Sequence, residues 1–124
     1  MFDELNKYKE NGHFFVRPGD DLKVICNAPS QNGVYVIHSL NRGRIELVFI
    51  GCTDASIEPT GLKDQIILKG KFLQTKIKNE GCDALDIYWY VTKTTRTTDP
   101  PKEIELKILN RHIKVFGTVP RWNK

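Results

Sequence analysis

The chain has 124 residues, 40% hydrophobic and 27% charged, with a formal net charge of +4; this suits one ordinary soluble domain and leaves too little chain for two. No apolar run nears the roughly 20 residues needed to span a bilayer, and Met1-Phe2-Asp3-Glu4-Leu5 lacks the basic start and apolar stretch of a signal peptide, so a cytoplasmic location is expected. Cys26, Cys52 and Cys82 are odd in number and widely spaced without a C-x-x-C pair, which argues for free thiols and against a structural zinc site.

In chain order, residues 3–10 read as a short helix stopped by Asn11-Gly12. Asp20-Asp21 ahead of Leu22, Val24, Ile25 and Cys26 suggests a second one, its acidic residues at the helix end where the dipole favours them. Residues 27–32 form a loop. Residues 1–32 are therefore expected to be a helical extension packed on a domain of residues 33–124. His13, between Gly12 and Phe14-Phe15, reads as a packed, hydrogen-bonded histidine rather than a ligand.

Next come two runs rich in β-branched and aromatic residues, Val34-Tyr35-Val36-Ile37-His38 and Ile45-Glu46-Leu47-Val48-Phe49-Ile50. Asn41-Arg42-Gly43-Arg44 between them has turn chemistry, so a β-hairpin is expected, with Gly33 and Gly51 at its base allowing close backbone approach. A polar loop follows, which Pro59 keeps from being simply helical. Leu62, Ile66 and Ile67 fall at helical spacing, Lys69-Gly70-Lys71 breaks that helix, and a second amphipathic piece runs to Glu80-Gly81. Residues 85–91, LDIYWYV, form a third strand, one face of which must line the core.

The last helix is expected over residues 101–112. With Ile104 at zero and 100° per residue, Ile108 falls at about 40°, Leu109 at about 140°, Ile113 at about 180° and Leu106 at about 200°. Glu105, at about 100°, is centred on that apolar arc, and His112 lies on the same face. A carboxylate aimed at the interior must be protonated, paired or metal-bound. Two readings stand side by side: a salt bridge to a lysine or arginine of a neighbouring helix, or a metal ligand.

Charge is distributed unevenly. Residues 1–60 carry 6 Lys+Arg against 8 Asp+Glu, a net −2, and residues 61–124 carry 13 against 7, a net +6. The basic excess lies where a polyanion would bind, or else consists of solvated lysines on helix surfaces.

Gly33-Val34-Tyr35 with Phe49-Ile50-Gly51 resembles the paired signature of the GIY-YIG nuclease superfamily. The order of later features matches as well: a helix, a third strand, a helix with an inward glutamate, and Asn123 in Val119-Pro120-Arg121-Trp122-Asn123. The resemblance covers about residues 33–124. It implies an α+β fold with a small, three-stranded, mainly antiparallel sheet (strands at 34–39, 45–50 and 85–91) flanked by helices including 62–69 and 101–112. It also implies hydrolysis of DNA phosphodiesters with one divalent cation, Mg2+ or Mn2+, held by Glu105. By the same resemblance Tyr35 positions or activates the water and Asn123 orients the site.

Two positions depart from the family pattern. Phe49 stands where the second tyrosine is expected and keeps only the ring; Gln65 stands where an arginine is expected, in Leu62-Lys63-Asp64-Gln65-Ile66. A neutral amide cannot replace a fixed cation at a developing oxyanion. Lys63, Arg42 or Arg44 would have to supply the missing charge, and Arg42, Arg44, Lys69 and Lys71 are the expected nucleic-acid contacts. The alternatives are a degenerate member that binds nucleic acid or a protein partner without cutting, and an interaction module using Tyr88-Trp89-Tyr90.

Overall fold

A computed structural model describes residues 2–56, 58 and 60–124 of the chain. Pro59, expected to shape the loop after the hairpin, lies outside the described residues.

The hairpin forms from β2 (Gly33–Asn41) and β3 (Arg44–Cys52), antiparallel, with Asn41 opposite Arg44. The two turn residues both have positive φ, 53° at Arg42 and 79° at Gly43, the turn geometry whose twist matches that of the flanking strands. Arg42 is held there by its backbone N–H, which donates to the Asp83 carboxylate at 2.9 Å. At the hairpin base Gly33 is indispensable, because a Cβ there would stand 2.0 Å from the Tyr90 carbonyl oxygen. Between Ile37 and His38 the register shifts by one residue, a bulge that leaves Val48 without a partner across the ladder.

The sheet has four strands among the described residues, not the expected three. β4 (Ala84–Val91) pairs antiparallel with β2, and β1 (Asn11–Val16) pairs antiparallel with β4, giving the order β1-β4-β2-β3. β1 comes from the segment expected to be a helical extension, of which only Asp3–Leu5, a single 3-10 turn, and α1 (Leu22–Ile25) are helical among the described residues. The reason is alternation over a very short run: Phe14 and Val16 enter the core while His13 and Phe15 face the other way. Asn11-Gly12 opens this strand rather than ending a helix.

β2 and β4 are central and largely buried. On one face Tyr35, Ile37, Leu85, Ile87 and Val91 pack against Leu62 and Ile66 of α2 (Leu62–Leu68) and Leu73 and Ile77 of α3 (Gly70–Glu80). On the other, Val34, Val36 and Ile50 meet Ile104 and Ile108 of α4 (Pro101–Phe116), with Leu5 and Tyr8 beside them. Each fully buried aliphatic side chain contributes about 1.5–3 kcal/mol, so these two clusters support a helix–sheet–helix sandwich.

α4 continues past His112 to Phe116 and buries Ile104, Glu105, Ile108 and His112. Leu106 and Ile113, placed on the apolar arc by periodicity, are instead 47% and 40% exposed. A helix lying on one sheet face buries a narrower stripe than its apolar composition allows.

Candidate functional site at the hairpin base

Tyr35 on β2 lies opposite Gly51 on β3, and its ring crosses the glycine toward the sheet edge: a Cβ on Gly51 would stand 2.5 Å from the ring Cζ. The side chain is 2% exposed. Burial pushes its hydroxyl well above the usual tyrosine range, and the nearby Cys52 and Glu105 push the same way.

Cys52 ends β3 beside Glu105 on α4. Burial first, then the neighbouring Glu105 carboxylate, raise the thiol to about 12, so it stays protonated. Glu105 is 9% exposed, and its Oε1 accepts from Lys102 Nζ at 2.8 Å. The salt bridge is thus made within the helix, three residues back, and not to a neighbouring helix; side chains three apart share a helix face. Glu105 in turn holds the Lys102 ammonium above its ordinary range. Asp54 lies on the rim, close enough to act on both Cys52 and Lys102.

The two departures from the family pattern have visible structural roles. Phe49 stacks 6.0 Å from Tyr35 and lies 6.2 Å from Phe72; it fills space between β3 and α3. Gln65 is 8% exposed; its Oε1 accepts from the Asp54 N–H at 2.9 Å and its Nε2 donates to the Asp54 carbonyl at 2.8 Å. This side chain pins the loop that leaves β3, and a guanidinium, which has no acceptor, could make only half of that contact.

Of the other predicted residues, Lys69 lies beside Phe49, its Nζ 5.1 Å from that ring centre and 5.7 Å from that of Phe72. Asn123, in a 3-10 turn at Arg121–Asn123, pairs with β3 itself: Oδ1 accepts from the Ile50 N–H and Nδ2 donates to the Ile50 carbonyl, both at 2.9 Å. It covers a sheet edge that would otherwise be open. Lys63 is exposed at the start of α2, where its charge acts on the Cys26 thiol, and Lys71 is exposed at the start of α3. Arg42 and Arg44 sit at the hairpin tip, roughly 20 Å from Tyr35 at about 3.3 Å per strand residue. They do not join the corner. Lys102 and Cys52 were missed by sequence reasoning; the i,i+3 spacing of Lys102 to Glu105 is the signal that could have found the former.

Among the described residues no three His, Cys, Asp or Glu side chains are grouped to hold a metal ion. Glu105 is a single carboxylate with an exposed, movable lysine on one oxygen, the side chain of Lys102 being 71% exposed. That donor set offers a cation one carboxylate and does not form a protein cage.

Compared with models of known protein families, with curated proteins and with solved structures, the chain matches none of them. The fold defines an α+β domain with an open antiparallel sheet of four strands and four α-helices among the described residues. No helix among these residues is long and apolar enough to cross a membrane.

Proposed function

We propose that the chain is a divergent GIY-YIG-type domain that binds DNA and hydrolyses a phosphodiester at the corner of Tyr35, Lys102 and Glu105 with one divalent cation, Mg2+ or Mn2+. The observation that supports this reading is electrostatic: Tyr35 faces α2 and α3 while Glu105 lies on α4 across the sheet, yet the carboxylate charge still acts on the phenol. Phosphodiester hydrolysis gathers negative charge on phosphate oxygens and needs an oriented water. Tyr35, kept neutral by burial and 2% exposed, supports the corner from beneath and is not a proton acceptor, so phosphate and water would meet Lys102 and Glu105. Glu105 would hold the cation, which when bound supplies charge stabilisation at the phosphate. Lys102 supplies positive charge at the corner in the absence of the arginine that Gln65 replaces, and Lys69 adds a second cation beside Phe49.

A second reading is a domain that binds nucleic acid or a protein partner without cleavage. Its supporting observation is the commitment of Gln65 to the Asp54 backbone, which leaves no arginine at the phosphate. Gel retardation of duplex DNA across a salt series, alongside nicking assays in Mg2+ and Mn2+, separates the two. Nicking supports hydrolysis. Salt-sensitive retardation alone, reduced in a Lys69→Ala/Lys71→Ala variant, supports binding, because phosphate contacts release counterions. Neither signal would remove nucleic acid as the ligand.

A further inference from the structure

A concavity of about 810 Å3 lies on the sheet face opposite Tyr35, between the C-terminal half of α4 and the uncovered ends of β2, β3 and β4. It opens because α4 covers the Val34 and Val36 end of that face and leaves the stretch around His38, Leu40, Leu47 and Asp86 without a helix. Its volume falls in the range of small-ligand sites, roughly 300–1,000 Å3. The site of the proposed hydrolysis contributes no residue to it.

We propose that this cleft binds a small organic cation with an apolar body, an arylalkyl ammonium or amidinium, with Asp86 as its counter-ion. Asp86 sits mid-strand between Leu85 and Ile87 and is 8% exposed, an unusual place for a carboxylate unless something repays its burial. One oxygen meets His13 Nδ1 at 2.9 Å. His38 lies directly across the ladder, and its Nδ1 is buried without a hydrogen-bond partner among the described residues. Burial pushes that imidazole below the usual histidine range, against the pull of Asp86, so His38 adds no cation.

The rest of the lining points to the same chemistry. His112 on the α4 wall donates Nδ1–H to the Thr118 carbonyl at 2.6 Å, which turns its other ring nitrogen away from that bond. Tyr88 stacks on His13 at 4.8 Å and meets His38 edge-on at 5.4 Å; with Tyr90, Phe2 and Phe116 it gives the cleft aromatic surface suited to a cation. Of the cations at the rim, Arg121 is bound by Glu46 and Glu80, and Lys124 is exposed. An anion would meet the Asp86 carboxylate in this cleft, and a neutral apolar ligand would add no charge to the contacts that His13 and the Tyr88 hydroxyl already make with Asp86.

Three probes with one phenyl body test this: phenethylamine, 2-phenylethanol and phenylacetate, titrated into the 15N-labelled full chain and followed by amide shifts. Phenethylamine is expected to bind at least about tenfold more tightly than 2-phenylethanol, with shifts confined to the cleft-lining parts of β2, β3, β4 and α4 and with phenylacetate weakest. Asp86→Asn, which keeps the shape, should bring phenethylamine down to the level of the alcohol. Equal or tighter binding of phenylacetate, no binding of any probe at millimolar concentration, or discrimination persisting in a folded Asp86→Asn protein would overturn the proposal. If that variant does not fold, the ranking of the three probes on the native chain decides alone.

Discussion

Gly51 lies beneath the Tyr35 ring so closely that a Cβ there would stand 2.5 Å from Cζ and 2.7 Å from the hydroxyl oxygen, with Phe49 Cε2 at 2.8 Å. The Tyr35 ring cannot retreat far, because the side chain is 2% exposed. Gly51→Ala should therefore cost about 1–3 kcal/mol, the usual penalty of an overpacked core. Urea denaturation would show it as a lower midpoint with an unchanged slope, and an unaltered midpoint would mean that the ring does not occupy this position.

The pairing of Cys52 with Glu105 has a chemical signature. With burial and Glu105 holding the thiol well above its ordinary range, little Cys52 is ionised at pH 8, and alkylation of this residue by iodoacetamide should be slow. Glu105→Gln removes the charge that adds to burial in raising the thiol, so Cys52 should alkylate faster in that variant at the same pH. Peptide mapping by mass spectrometry reads the rate at this residue alone, and an unchanged or slower rate would separate the two side chains.

Acid should weaken the contact between α3 and the C-terminal 3-10 turn. Burial works to raise the Glu80 carboxyl, but hydrogen bonds from Arg121 and Trp122 outweigh it and leave the group below its ordinary 4.5. A carboxyl whose folded value is depressed stabilises the fold above its unfolded value and loses that contribution as pH falls through the folded one. The thermal midpoint of the native chain should therefore exceed that of Glu80→Gln at pH 7, and the gap should shrink as pH drops below 4.5. A gap that is constant with pH would show that the pair contributes nothing through ionisation.

Asn123 acts as a surrogate strand residue. Its two hydrogen bonds to Ile50 are each worth about 0.5–1.5 kcal/mol net, so Asn123→Ala should destabilise the fold by about 1–3 kcal/mol. Hydrogen exchange at the Ile50 amide should accelerate more than at the Val36 amide in the central strand.

The parts of this architecture that could be read from the chain are those with a long, regular signal. The hairpin showed itself through two β-branched runs around Asn41-Arg42-Gly43-Arg44, and α4 through its period, which also marked Glu105 and His112 as inward. β1 was hidden because only Phe14 and Val16 carry its alternation, and a histidine and a glycine beside them look like loop. Leu106 and Ile113 misled because composition cannot say how wide a stripe the sheet will cover. At the site, Gln65 could be seen as a missing arginine, but its work on the Asp54 backbone depends on where the loop after β3 returns. The arrangement of Asp86, His38 and His13 needed the strand order, since it brings together β4, β2 and a strand from the N-terminal segment.

The role of Glu105 is tested most directly by nicking of supercoiled plasmid DNA in Mn2+, comparing the native chain with Glu105→Ala purified identically. Hydrolysis at the Tyr35 and Glu105 corner predicts metal-dependent nicking by the native chain and a loss of at least about a hundredfold in the variant, the scale of removing a group that stabilises the transition state. Equal nicking by both proteins, or none by the native chain, would contradict it.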